Sequence, residues 1–451
     1  MNRLGIVDLS FLFAESRATP MHTAGIMLFS YPDGVHKEWL HDSFSTAPDT
    51  SSLQPPFNLR LTRSMSQLGL PHWTTDEALD TEYHIRHSAL PSPGRYREMF
   101  SLISRLHGTR LDRDRPLWEA HVIEGVEGNR FAFYMKMHHA MIDGIGSLRM
   151  LMDCLTPNPD KRGMPAPWST PRPSSDARPT PGDKQGALST AVGAVRGLGR
   201  YATEARDDSS GLMAPFAAPQ TMLNKRITGS RRFVAQSWSL SRIKTLGESL
   251  DATVNDIVMA MSGGALRTYL TDHDGLPDKP LTALTPVSFR ALDTPSDGNA
   301  FSAVFVSLGT EIPDAVSRLR AIQMSMGRAK RVMASLNSSE IPLYTSFFST
   351  PMLAQQLLRL DGRSRPGFNV TVSNVPGPRE TLYWNGAKLQ GMYPLSIVNH
   401  GAALNITVTS MSDSLNFGIV ACRRSVPQAQ RLIDHLDEAL RELEKGAGVT
   451  S

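Results

Sequence analysis

Between Thr156 and Asp183 the chain carries Pro157, Pro159, Pro165, Pro167, Pro171, Pro173, Pro179 and Pro181 among Ser, Asp and Arg. Each proline lacks an N–H and holds φ near one value, so neither a helix nor a sheet ladder runs through such a run. Whatever 451 residues build here must therefore be built on both sides of it. That length suits two domains and a linker. The expected division is a first domain over 1–155, a proline-rich linker over 156–215 and a second domain over 216–451. Inside the linker, Leu188, Val192, Val195 and Leu198 recur at near-helical spacing, which suits a bridging helix or a surface contact despite Gly193, Gly197 and Gly199.

In the first half, Arg130 to His138 alternates Phe131, Phe133, Met135 and Met137 against Ala132, Tyr134 and Lys136, a strand pattern. Asp143, Gly144 and Gly146 follow, and Leu148, Leu151 and Met152 then return at helical spacing. The spacing predicts a loop over His138 to Gly144 between a strand and a helix, where side chains are commonly presented for chemistry. The second half also reads as mixed α/β. A helix is expected over Thr253 to Asp274, strands over Leu281 to Phe289 and Ala303 to Leu308, and a hairpin of Leu404 to Ser410 and Leu415 to Cys422 about the turn Met411 to Ser414. Gln428 to Lys445 closes the pattern as an amphipathic helix, and no repeat of fixed period is present.

Composition narrows the function classes. With 40% hydrophobic and 20% charged residues the chain reads as an ordinary globular protein. A net charge of +4 without a Lys/Arg cluster gives no nucleic-acid footprint. Cys154 and Cys422 are far apart and in no Cys-x-x-Cys pair, so neither a disulfide framework nor a zinc knuckle is expected, and a cytoplasmic setting follows. Met1 to Phe13 does not read as a secretory signal, and no window holds the roughly 18 apolar residues a spanning helix needs.

The segment His138-His139-Ala140-Met141-Ile142-Asp143-Gly144 is the most informative stretch. A hydroxyl is a poor nucleophile at neutral pH, and a neutral imidazole within hydrogen-bond reach can take its proton as it attacks. His139 is the candidate for that base. Attack on a thioester gives an oxyanion that needs fixed donors and then expels a thiolate, so no covalent enzyme intermediate is required. The absence of a Gly-x-Ser-x-Gly elbow agrees with direct transfer. Adjacent histidines on a strand point apart, which disfavours a shared metal. A structural role beside Asp-Gly stays open on spacing alone.

His138 to Gly144 matches the HHxxxDG motif of the coenzyme A-dependent acyltransferases, and the chain resembles the bacterial bifunctional wax ester synthase/diacylglycerol acyltransferase family almost end to end. The motif is moderately specific, since peptide-synthetase condensation domains and plant acyltransferases share it. The ordered set around it is more specific: Pro20-Met21-His22, Pro116-Leu117-Trp118, Asn255-Asp256-Ile257-Val258, Pro286-Val287-Ser288-Phe289-Arg290, Gly298-Asn299 and Ser373-Asn374-Val375-Pro376-Gly377-Pro378.

The resemblance implies an α/β fold of two chloramphenicol-acetyltransferase-like domains, each a mixed sheet flanked by helices, with the active-site channel between them. It implies an O-acyltransferase that moves a long fatty acyl group from acyl-coenzyme A, a substrate and not a resident cofactor, onto a long-chain alcohol or diacylglycerol. His139 is then the base, His138 assists its placement, Asp143 braces the loop, with Arg290 as a candidate partner, and Gly144 lets backbone approach the substrate. Asn255, Asp256 and Asn374 are expected along the channel, although Asn-Asp after Thr253 is also a helix-start signal and Ser373 to Pro378 also reads as a shaped turn. Trp118 reads as packing. Ile341 to Leu360, with Phe347 and Phe348, reads as core or as an acyl tunnel or lipid contact, so peripheral contact with the membrane or lipid inclusions is also expected. Two other readings are a condensation-type transferase using a carrier-protein thioester, for whose carrier domain this length leaves no room, and a lipid-inclusion binding protein without catalysis.

Overall fold

The computed structural model describes residues 2–35, 38–45, 53–63, 69–142, 144–170, 213, 216–287, 302–335, 354–355, 358 and 360–449. Asp143, the stretch around Leu188 to Leu198, Ser288 to Arg290, Gly298-Asn299 and most of Ile341 to Leu360, with Phe347 and Phe348, lie outside the described residues.

Among the described residues, two six-stranded sheets form the frame. The first is built on β7 (Arg130–His138), whose bounds coincide with the alternating pattern in the sequence. β7 pairs antiparallel with β2 (His22–Ser30) and with β6 (Trp118–Val126), and β5 (Ile85–Ala89) runs parallel on β6. A small sheet of β1 (Asn2–Arg3), β4 (Pro71–Thr75) and β3 (Leu59–Arg63) stands apart. Alternation gives β7 two different faces. Phe131, Phe133, Met135 and Met137 enter one apolar core with Met27 and Phe29, while Ala132 and Tyr134 enter the other with Ile26 and Leu28. That second core is continuous with the interior of the other half, bridged by α4 (Tyr96–Gly108), where Phe100 meets Phe233 edge to face at 5.2 Å.

The second sheet runs β10 (Ser302–Ser307), β9 (Thr282–Val287), β11 (Val370–Val375), β14 (Leu404–Met411), β15 (Ser414–Cys422) and β8 (Arg231–Ser239). β11 lies parallel to both neighbours, and the hairpin β14–β15 forms where its apolar runs and polar turn predict it. Three long helices, at Val254–Thr271, Ala315–Ala334 and Arg431–Ala447, add their buried faces to the same core as this sheet.

Two departures from the sequence reading have clear physical causes. Ala387–Leu395, β13, belongs by position to the second half, yet it pairs antiparallel with β2 and completes the first sheet together with β12 (Tyr383–Trp384). Periodicity reports that a segment is a strand and says nothing of which sheet takes it. The proline-rich run, expected to act as a linker from 156 onward, is packed at its start. Thr156 bridges to Tyr383, and Trp168, 1% exposed, stacks on Trp118 at 5.6 Å. Trp168 is buried from a single 3-10 turn, Pro167–Ser169, whose proline opens the turn where its missing N–H costs nothing.

Candidate active site

Three separated motifs meet at the ends of three adjacent strands. The His138 N–H donates to the Leu117 carbonyl at 2.9 Å, and the His139 N–H donates to the Met21 carbonyl at 2.9 Å. Pro20-Met21-His22 thus stands on one side of the pair at the start of β2, and Pro116-Leu117-Trp118 on the other at the start of β6. Antiparallel pairing puts the beginnings of both neighbours beside the end of β7. Trp118 is fully buried, donates its indole N–H to the Phe57 carbonyl at 2.9 Å and stacks on His84, which gives that corner a rigid floor.

The two imidazoles have different duties. His138 is fully buried, and its Nδ1 accepts the Ala140 N–H at 3.1 Å. An accepting Nδ1 carries no proton, so the neutral ring holds its proton on Nε2. Burial, aided by the Arg113 and His139 charges, pushes its pKa down to about 3. With that lone pair engaged and protonation disfavoured, His138 is a poor base at neutral pH. His139 is only half-buried, and its ring stacks on Phe11 at 4.1 Å and 22°. Phe11 comes from α1 (Ile6–Ala14), which lies over the loop and packs through Leu12 into a cluster with Leu111, Leu117 and Ala140.

The buried end of the same strands is rich in polar groups. His22, paired across strands with His138, has its Nε2 at 2.8 Å from the His107 carbonyl, and the His107 Nδ1 lies 3.1 Å from the Tyr134 hydroxyl. Burial pushes His107 down to about 3 and His22 well below its ordinary value, so both stay neutral at physiological pH. Fully buried Lys136 is neutralised by Glu119 at 3.2 Å and donates to the Leu106 and Thr109 carbonyls.

Gly144 opens α5 (Gly144–Met152), and a Cβ there would meet no atom within 4 Å among the described residues. Asp143 and Arg290 lie outside those residues. Asn255 and Asp256 stand in the first turn of the helix Val254–Thr271, where Asp256 accepts both the Thr253 N–H at 3.0 Å and the Thr253 hydroxyl at 2.7 Å. Thr253 Oγ1 in turn accepts the Asp256 N–H, closing a reciprocal cap. Thr253→Ala is expected to cost about 1 kcal/mol in chemical denaturation, the usual loss of an N-cap. Asn374 is half-buried and lies within β11 opposite Val408, so the first half of the turn expected over Ser373 to Pro378 is strand, and Pro376 to Pro378 continues without a regular turn. Neither Asn255, Asp256 nor Asn374 is hydrogen-bonded to the histidine pair among the described residues. Sequence reasoning missed Phe11, Glu15 and Arg113, which sit in ordinary-looking contexts and act only through folding.

Comparison with known proteins gives the chain's family likeness. Residues 4–258 match the wax ester synthase/diacylglycerol acyltransferase catalytic domain model, and residues 297–444 match the WS/DGAT C-terminal domain model. A putative diacylglycerol O-acyltransferase of Mycobacterium tuberculosis is 42% identical over 98% of this chain and 99% of its own length. The solved wax ester synthase/diacylglycerol acyltransferase of Marinobacter aquaeolei VT8 is 41% identical, with a TM-score of 0.82 over 100% of both chains. The first condensation domain of the calcium-dependent antibiotic synthetase, 14% identical, shares the fold with a TM-score of 0.59 over 99% of this chain and 96% of its own.

Proposed function

The chain belongs to the wax ester synthase/diacylglycerol acyltransferase family, and from that premise we propose that it transfers a long-chain acyl group from acyl-coenzyme A directly to a long-chain alcohol or diacylglycerol with His139 as base. It is an O-acyltransferase with an acyl donor and an alcohol or diacylglycerol acceptor. The observation that carries the finer reading is the division of labour in the pair. His138 has its lone pair on the Ala140 N–H, which leaves His139 as the accessible imidazole at the strand end.

In this mechanism the acceptor hydroxyl gives its proton to His139 as its oxygen attacks the thioester carbonyl. The C–O bond forms, and the carbonyl electron pair moves onto oxygen to give a tetrahedral oxyanion. Collapse re-forms the carbonyl and breaks the C–S bond. The coenzyme A thiolate leaves and takes up the proton held on His139, so the enzyme returns unmodified. Asp143 braces the loop and open-sided Gly144 admits the substrate backbone-close, while Asn255, Asp256, Arg290 and Asn374 are assigned to the channel. No resident cofactor is assigned, because the thioester is consumed.

The test is thiol release from palmitoyl-coenzyme A by purified protein, with hexadecanol, with diacylglycerol and with neither. Release that depends on acceptor supports the reading. Release that requires an acyl-carrier protein in place of acyl-coenzyme A would replace it with the condensation-type reading, and lipid binding without release would replace it with the non-catalytic one.

Lipid acceptors partition into membranes and lipid inclusions, and we place the enzyme at such surfaces from the cytoplasmic side. No helix among the described residues is long and apolar enough to cross a membrane. Phe13, 57% exposed, projects from the helix that covers His139, and Leu70, 45% exposed, precedes the strand whose Trp73 packs in the Leu12 cluster. These two support contact at this edge. Phe13→Glu is expected to weaken co-flotation with diacylglycerol-containing phosphatidylcholine vesicles roughly tenfold, the worth of one apolar side chain. Unchanged flotation would remove this edge from consideration.

A further inference from the structure

We propose that Glu15, held by Arg113, positions the histidine pair for acyl transfer, an inference that rests on the reading of His139 as base. Glu15 is the residue at which α1 ends, and its side chain is 1% exposed. A buried carboxylate is costly unless its oxygens find partners. Here the two oxygens are divided between two tasks.

Oε2 is taken by Arg113, whose Nε and Nη2 both approach it at 2.8 Å. The same guanidinium donates to the Leu12 carbonyl, which fixes it against α1. Oε1 faces the strand ends. It lies 3.4 Å from the Met21 nitrogen and 3.6 Å from His138 Nε2. Because His138 Nδ1 accepts from Ala140, Nε2 carries the ring proton, and that proton faces the carboxylate. Met21 in turn receives the His139 N–H on its carbonyl. One carboxylate oxygen therefore reaches His138 through its ring and His139 through the peptide of Met21.

At 3.6 Å the His138 contact is longer than a hydrogen bond, and such contacts at active sites tighten when substrate engages. A plain surface-to-core ion pair anchoring α1 would need only Arg113 and Oε2. The second oxygen, turned inward onto the pair that does the chemistry, marks a positioning residue.

Three variants separate the two roles: Glu15→Gln, Arg113→Gln, and both together. Glu15→Gln leaves the half-buried Arg113 without its carboxylate and buries an amide in its place, so it is expected to lose stability as well as turnover, and the double variant is needed to separate the two losses. The double variant removes both charges. It is expected to regain the thermal midpoint of the wild type while kcat for acyl transfer stays at least tenfold low, with the KM for palmitoyl-coenzyme A within twofold of the wild type, a penalty in the range of other outer-shell histidine partners. Recovery of kcat in the double variant would overturn the proposal and leave the pair as an anchor for α1.

A second readout needs no activity. In full-length 15N-histidine-labelled protein saturated with a non-reactive thioether analogue of palmitoyl-coenzyme A, the His138 Nε2–H, assigned by its disappearance in His138→Gln, is expected to exchange slowly in the wild type and to be lost to exchange in Glu15→Gln and in the double variant. A signal unchanged in the double variant would overturn the contact. If the wild type releases no thiol with either acceptor, the acyl-transfer reading fails, and this signal still decides whether Glu15 holds His138.

Discussion

His139→Ala is expected to lower acceptor-dependent thiol release by about 10²–10⁴-fold, the usual contribution of a positioned base to proton removal. The size follows from what remains. The alcohol would have to ionise without assistance or give its proton to water, while the other imidazole at the site stays engaged, its Nδ1 on the Ala140 N–H and its pKa near 3. His138 therefore cannot take over. The variant should still fold, because His139 is half-buried and its stack on Phe11 is worth about 1 kcal/mol. Its KM for acyl-coenzyme A should change little, since the base acts in the transition state and not in binding. Full activity in a folded His139→Ala protein would end the base assignment. A matching rise in KM with kcat preserved would recast His139 as a binding residue.

His138→Ala makes a weaker test, and the reason lies in the fold. That ring is fully buried between β2 and the loop, so its removal opens a hole and frees the Ala140 N–H. Activity and stability would fall together. The two histidines are adjacent in sequence, yet one has become part of the interior and the other faces the ring of a covering helix.

The readable part of this site was the part written in local pattern. Alternation from Arg130 to His138 marked β7 to the residue, and Thr253 with Asp256 marked a helix start that the structure closes as a reciprocal cap. The ordered motifs announced a family, and they meet in space because β2, β6 and β7 are neighbours. Glu15 and Arg113 had no such mark. Glu15 follows an apolar run and Arg113 sits in the charged stretch Arg110-Leu111-Asp112-Arg113-Asp114-Arg115, where any one charge looks like its neighbours. Only the docking of α1 across the strand ends selects Arg113 to pair with a buried carboxylate 98 residues away. The transfer of β13 into the first sheet was equally silent, because nothing local names the sheet a strand joins, and a bulge between Leu389 and Gly391 puts Met392 in one core with Ala387 and Leu389 while Tyr393 enters the other.

That transferred strand carries the second large effect. Gly418 on β15 lies where β13 crosses the second sheet, and a Cβ there would fall 2.0 Å from the Pro394 carbonyl oxygen and 3.1 Å from its carbon. The obstruction is backbone of a paired strand, since Pro394 is in register with Gly25 of β2. It cannot rotate away as a side chain could. Gly418→Ala is expected to destabilise the protein by about 3 kcal/mol, the upper part of the usual range for overpacking, and Gly418→Val by more. Because Met21, whose carbonyl holds the His139 N–H, leads directly into β2, displacement of β13 should also reduce kcat in whatever fraction remains folded. Gly327 supplies the opposite case. It lies inside the helix Ala315–Ala334, where among the described residues a new Cβ would touch only the Arg331 guanidinium at 3.5 Å. Gly327→Ala should stabilise by about 0.5–1 kcal/mol through helix propensity. Chemical denaturation of the two alanine variants side by side checks the pair. A Gly418→Ala protein as stable as wild type would mean that the crossing strand has room to move and that the two sheets are less tightly joined than their backbones indicate.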